Sequence, residues 1–146
     1  SRGNSSRGIR MSSIWIEERI DKIYSHVKNK TVKALKSKYP DINFTQDDSE
    51  NDIAKFPTVY MFFDTAERMP TLDGGAINAV YMTVRTKVSV TKTDGNDAAR
   101  EVNAIVRDEL VNLGFIASGS PIPTVSGDIK AINANYQRMV GYNDPF

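Results

Sequence analysis

The chain has 146 residues, 40% of them hydrophobic and 25% charged, which suits one domain around a single core and is short for two. Nineteen basic and eighteen acidic side chains (Lys+Arg 19, Asp+Glu 18) leave a formal net charge of +1, so no global electrostatic argument favours nucleic acid or a membrane surface. The absence of cysteine excludes disulfides, thiolate zinc sites and cysteine nucleophiles, and no run approaches the ~18 apolar residues of a membrane-spanning helix.

Residues 1–10 (SRGNSSRGIR) differ in composition from the rest of the chain, and Met11 comes directly after them. They are expected to be an appended leader ahead of a native start at Met11, without a signal peptide's apolar core; the alternative is a genuine basic arm able to touch nucleic acid. From Ser12 or Ser13 a first helix is expected, running over about 13–38. Ile16, Ile20, Ile23, Val27, Thr31, Ala34 and Leu35 recur at three- and four-residue spacing, with Trp15 and Tyr24 flanking the stripe. Glu17 and Glu18 suit its positive end, and Pro40 bars the residue before it from continuing the helix. Lys28, Lys30, Lys33, Lys36 and Lys38 crowd its second half. A solvated face with cations near the helix C-terminus explains them; a strip for a polyanion is the sharper alternative.

Ile42, Asn43 and Phe44 can make a short strand, after which Asp47, Asp48, Glu50 and Asp52 form an acidic loop. Their spacing lacks the alternating acids and turn glycine of an EF-hand, so a solvated loop is expected rather than a calcium site. A strand comes next, over 56–64, with Pro57 at its start. Both of its faces are largely apolar, which predicts a central strand covered twice. The connection 65–79 is longer than a hairpin turn and carries Arg68, Met69, Leu72, Asp73 and Ile77. Such loops tend to be functional or disordered, and the apolar Met69, Leu72 and Ile77 predict that it touches something, most simply another subunit.

Val80, Met82, Val84, Thr86, Val88 and Val90 alternate with Tyr81, Thr83, Arg85, Lys87, Ser89 and Thr91, the period of a strand with one buried face. That strand is expected to pair antiparallel with 56–64, Val84 and Val88 inward and Arg85 and Lys87 outward. Asp94-Gly95-Asn96-Asp97 breaks the pattern, and a second helix over about 97–113 carries Ala98, Val102, Ile105, Val106 and Leu113 before Gly114 closes it. Residues 115–118 can form a short strand, 119–127 with Pro121 and Pro123 reads as loop, and 129–140 is the last strand, on which Tyr136 and Arg138 share a face expected to point outward. The fold class is therefore α+β: a single domain over 11–146, mainly an antiparallel sheet of about four to five strands packed with two helices, in the order α-(β)-β-β-α-β-β.

Chemistry is thin along the chain. The only histidine, His26, lies within the first helix away from any carboxylate cluster, where a partly exposed helical position explains it better than a triad or a zinc site. Asp73-Gly74-Gly75 lacks the lysine and the strand-to-helix step of a phosphate-binding loop, and Asp108 and Glu109 occupy adjacent helix positions that face different ways. No catalytic, cofactor-binding or metal residue is expected, and no enzyme activity.

The succession FPTVYMFF, then YMTVRTKVSVTKT running into DGNDAAREVNAIVRDELVNLGF, then NANYQRMVGY resembles the tail terminator proteins of long-tailed bacteriophages, also called tail completion or tail-to-head joining proteins. Asp97, Ala98, Leu113, Gly114, Phe115, Tyr136 and Arg138 carry the likeness: an alanine-rich helix ending in an LGF-like stop, and a late aromatic–x–Arg strand. The resemblance implies a virion protein that forms a ring, commonly hexameric, caps the tail tube and docks to the head-side connector. It implies partners (a second copy, the tube protein, the connector protein) and duplex DNA that passes without sequence-specific binding, with no membrane and no cofactor. Arg68, Met69, Leu72, Asp73, Ile77, Tyr136 and Arg138 are the expected contact residues. Other readings are another head–tail connector or tube component, a small-molecule-binding α+β domain, or an enzyme built on Asp, Glu, Tyr and Lys. A closed ring would separate the first from a monomer with one deep polar pocket.

Overall fold

The computed structural model describes residues 2–46, 57–67, 79–91 and 95–141. Its elements in chain order are α1 (Arg2–Leu35), β1 (Asn43–Thr45), β2 (Thr58–Glu67), β3 (Ala79–Thr91), α2 (Gly95–Asn112), β4 (Ile116–Ala117), β5 (Ile122–Ser126) and β6 (Ile129–Gly141). The strands form one six-stranded sheet in the order β1-β2-β3-β6-β4, with β5 also paired to β6. Two helices and a mixed sheet make this an α+β fold.

The alternation of β3 sets the faces. Val80, Met82, Val84, Val88 and Val90 are fully buried, while Arg85 is exposed and Lys87 half-buried on the other side. Antiparallel pairing carries that phase to both neighbours: Val88 lies opposite Val59 and Ile132, and Val84 opposite Phe63 and Tyr136. On the face so defined α2 packs Ala98, Ala99, Val102, Val106 and Leu110, and α1 packs Trp15, Ile23, Val27 and Leu35. A one-residue slip of β3 would turn its whole valine row to solvent, which is why the expected register is the observed one.

Several details depart from the expectations set by the sequence, among them β2, which runs on to Glu67 into the segment expected as loop, and a sheet of six strands rather than four or five. The helix α1 is longer at its start than the expected 13–38 and ends earlier, at Leu35. Lys38 N–H and Tyr39 N–H both return to Leu35 O, at 3.1 and 2.7 Å, a tightened last turn that takes up the restriction Pro40 places on Tyr39. Trp15 is buried in the core rather than flanking it, and Ala34 is exposed. Strand β1 runs parallel to β2, Phe44 opposite Val59, which only tertiary packing could decide.

The segment expected as loop contains β5, which forms a two-residue hairpin with β6 through Gly127 and Asp128. Gly127 takes the left-handed conformation (φ +60°) such a turn needs. Residues flanking a two-residue turn exchange hydrogen bonds, so Ser126, Thr124 and Ile122 face β6 with their backbone groups and Pro123 faces away. Its missing N–H falls where no ladder bond is required, and β5 is an edge, where proline is tolerated. Lastly, β2 is covered once, not twice. Val59 and Met61 are buried beneath the helices, but Tyr60 is half-buried and Phe62 39% exposed on a face that carries no helix among the described residues.

Candidate assembly surfaces

The second face of the sheet is the feature least explained by folding alone. Cross-strand register places on it Tyr60 and Phe62 of β2, Tyr81, Arg85 and Lys87 of β3, and Asn133, Asn135, Gln137 and Met139 of β6. Ile116 pairs with Gln137 and Ile122 with Asn133, so both share this face. Phe62 (39%), Met139 (43%), Ile122 (60%) and Ile116 (74%) are four of the large hydrophobic side chains exposed among the described residues. Only Ile14, Val111 and Val125 are exposed elsewhere among them, so exposed apolar surface concentrates here. Polar side chains are interleaved with them, Arg85 and Asn135 standing between Phe62 and the β4 and β5 side of the sheet.

The polar groups of this face are partly organised. Tyr81 Oη donates to Gln137 Oε1 at 2.5 Å, and the Arg85 guanidinium lies 5.8 Å from the centre of the Phe62 ring, within cation–π range. Beside the Arg85–Phe62 contact, on the side away from Tyr81, is a shallow depression of about 370 Å³ lined by Tyr60, Phe62, Arg85, Lys87, Asn133 and Asn135. Its lining combines amides, cations and aromatic rings, with no acid to serve as base or metal ligand.

Tyr136 and Arg138 share a strand face, but it is the inner one. The phase of β6 is fixed by Ile132, Ala134 and Val140, which sit opposite the buried row of β3. Tyr136 is 1% exposed, a core residue whose ring is not presented at the surface of the folded chain. Burial pushes its phenol above the ordinary value, and the Arg107 charge pulls partly the other way. Thr86 Oγ1 and Tyr136 Oη are near enough to influence each other, yet neither has a hydrogen-bond partner of good geometry among the described residues.

Arg138 has a different task. Helix α2 ends in a Schellman arrangement: Phe115 N–H donates to Leu110 O at 3.0 Å and Gly114 N–H to Val111 O at 2.9 Å, with Gly114 at φ +93°. Phe115 and Leu110, both buried, supply the accompanying apolar contact. Arg138 Nη1 donates to Leu113 O at 2.7 Å, placing a cation on the negative end of the helix. The LGF stop and the aromatic–x–Arg strand, far apart in sequence, therefore meet at one helix terminus.

Tertiary structure also supplies partners that spacing along the chain conceals. His26 is not remote from carboxylates: its Nε2 lies 3.1 Å from Glu109 Oε2 on α2. Lys38 Nζ donates to Glu101 Oε2 at 2.6 Å, and Tyr39 Oη reaches the same oxygen at 3.3 Å. That hydrogen bond and charge hold the Glu101 carboxyl below its usual range and raise the Lys38 ammonium. The remaining cations of the strip, Lys28, Lys30, Lys33 and Lys36, are exposed.

Arg68, Met69, Leu72, Asp73 and Ile77, the other expected contact residues, lie outside the described residues, as do Asp47, Asp48, Glu50 and Asp52. Sequence reasoning missed Phe62, Met139, Ile116 and Ile122. For Phe62 and Met139 the strand phase carried the signal, since each sits out of step with its strand's buried row. Among the described residues no group of three or more His, Asp or Glu side chains is placed to hold a metal ion, and no helix is long and apolar enough to cross a membrane.

No protein-family model and no curated protein matches the chain. Among solved structures, the gp17 protein of bacteriophage SPP1 aligns over 79% of this chain and 90% of its own, at 14% identity and a TM-score of 0.31. At that TM-score the likeness establishes neither a shared fold nor a shared role.

Proposed function

We propose that this chain is a structural component of a bacteriophage tail, a terminator that assembles as a ring, caps the tail tube and offers a docking face to the head-side connector. One observation carries the proposal: half of a well-formed sheet, the face bearing Phe62, Met139, Ile116 and Ile122, lacks a cover among the described residues. A protein whose business is assembly leaves such a face for its neighbours. The sequence resemblance supplies the kind of neighbour, and four of its residues, Leu113, Gly114, Phe115 and Arg138, meet at the C-terminus of α2.

Duplex DNA traverses a terminator ring, and a bore that gripped phosphate would retard it. The near-neutral chain fits free passage, and its affinity for duplex DNA is expected to be no tighter than about 10⁻⁴–10⁻⁶ M at physiological salt. Nanomolar binding or a sequence preference would turn the function toward nucleic-acid recognition.

Two experiments test the proposal. Light scattering should give one discrete multiple of the chain mass of 16.3 kDa, and electron microscopy should show rings that halt elongation when added to polymerising tail tubes. Deletion of residues 68–75 should spare folding and lower either the oligomer mass or tube binding. A chain that stays monomeric at all concentrations and leaves tube growth unchanged would overturn the proposal.

A further inference from the structure

Helix α2 is sorted by charge. Glu101 and Glu109 face α1, where they meet Lys38 and His26. Arg100, Asn103 and Arg107 recur at i, i+3 and i+7 and face the β5–β6 hairpin instead. Between that stripe and the hairpin runs a groove of about 430 Å³, closed by Pro123 and Val125 of β5 and Lys130 of β6. None of the three cations makes an ion pair among the described residues. Asn103 is only 7% exposed, and its Oδ1 is buried without a hydrogen-bond partner among the described residues.

We infer that this groove takes an acidic, extended peptide, and that the peptide is segment 47–52 of a second copy of the chain. Arg100, Arg107 and Lys130 ask for anions. Asn103 asks for more: its Oδ1 is an acceptor without a partner among the described residues, and a peptide backbone can answer it with an N–H. A phosphate has no N–H to give. No aromatic side chain lines the groove on which a base could stack, and its far wall is proline and valine. Those features favour a peptide over a nucleic acid.

The source of the peptide is argued from topology and charge. Between β1 and β2 the sequence reads QDDSENDIAKFP, with Asp47, Asp48, Glu50 and Asp52 close together. This segment is anchored at Thr45 and Thr58, on the β1–β2 edge, whereas the groove lies beside β6 at the opposite edge. Crossing from β1 to β5 spans four strand spacings, ~19 Å, before the chain passes around a helix. Asp47 and Asp48 stand two and three residues beyond Thr45, so even a fully extended chain carries them only ~11 Å from that anchor, short of the crossing. The contact is therefore made between copies. It joins one edge to the other, head to tail, and a contact of that kind closes into a ring when its rotation fits. The inference rests on the ring for its source of peptide, but the groove can be tested without it.

A labelled peptide spanning residues 46–57 is titrated into the full-length chain at low and high salt, alongside a duplex DNA oligonucleotide of similar charge. Saturable, salt-sensitive peptide binding is expected, weakened at least about tenfold in Arg100→Glu/Arg107→Glu. Both arginines are exposed, so the variant should keep the wild-type circular dichroism and melting curve. In assembly, Arg100→Glu/Arg107→Glu and Asp47→Lys/Asp48→Lys should each lower the oligomer mass, and the chain carrying all four changes should recover it. Peptide binding that the arginine changes leave undiminished, or tighter binding of the duplex through the same arginines, overturns the groove assignment. A monomeric wild-type chain that still captures the peptide through Arg100 and Arg107 upholds the groove and contradicts the ring. A wild-type ring that survives the arginine changes does the reverse.

Discussion

The two faces of the sheet are built from the same three long strands and by the same alternation, yet only one is finished. On the inner face the valine row of β3 meets Val59, Met61, Ile132 and Tyr136 under two helices, and nearly every side chain is below a tenth exposed. Across the thickness of one backbone, Phe62, Arg85, Asn135 and Met139 face outward with no helix over them among the described residues. The inner face answers to the stability of the chain. The outer one mixes apolar side chains with amides and cations, and under the proposed function it is the face left for a neighbour.

Neighbouring substitutions should separate the two faces most widely. Val84→Asp buries an unpaired carboxylate beside Tyr136 and Phe63, a cost of several kcal/mol against a total stability of about 5–15 kcal/mol, and urea titration should find the variant largely unfolded. Arg85→Ser, one residue on, loses the contact with the Phe62 ring and should cost only about 0.5–1 kcal/mol. If the two changes cost the same, the faces are not distinct in the way described.

The α2 terminus should give the next largest effect. Gly114→Ala forces a left-handed conformation on an L side chain, and its Cβ would stand 3.2 Å from Arg138 Nε. A loss of about 1–2 kcal/mol is expected by thermal denaturation. Arg138→Met removes the cation on Leu113 O at about 1 kcal/mol, and it should relieve part of the Gly114→Ala cost, so the double variant will be more stable than the sum of the singles.

The smallest effect belongs to the exposed pair on the helices. Glu101 has a lowered carboxyl pKa in the folded chain, so its contribution is present above the ordinary carboxylate value and fades as pH falls through the folded one. Lys38 is raised, so its share is present below the ordinary lysine value and fades as pH rises past the folded one. Glu101→Gln should flatten the acid limb of the stability profile slightly and leave the neutral plateau near wild type. A large loss at neutral pH would mean that the pair is less solvated than it is here.

Strand phase made the inner face legible: the alternation of residues 80–90 announced which side of β3 is buried, and the LGF stop announced the helix end. Other features depended on contacts no local pattern encodes. The face of Tyr136 could be known only from the pairing of Val84 with it, and its tyrosine–x–arginine spacing suits either side of a sheet. Pro121 and Pro123 masked β5, because proline speaks against a strand until the edge it lies on is known. His26 and Glu109 are 83 residues apart and meet only because α1 and α2 pack together. The open face was missed for a related reason: Tyr60 and Phe62 look like core residues until the helices are seen to lie on one side alone.

Methionine chemistry tests the role of the open face most directly, because the sheet carries its own control. Met139 is 43% exposed on the open face, whereas Met61 and Met82 are fully buried on the inner one. Exposure to dilute peroxide, followed by peptide mass spectrometry, reads each site as its sulfoxide. In the dispersed chain Met139 should oxidise well before Met61 and Met82. In the ring that the proposed function calls for, Met139 should become as resistant as the two buried residues. A Met139 that oxidises at the same rate in both states would contradict the claim that this face is what the protein uses to assemble.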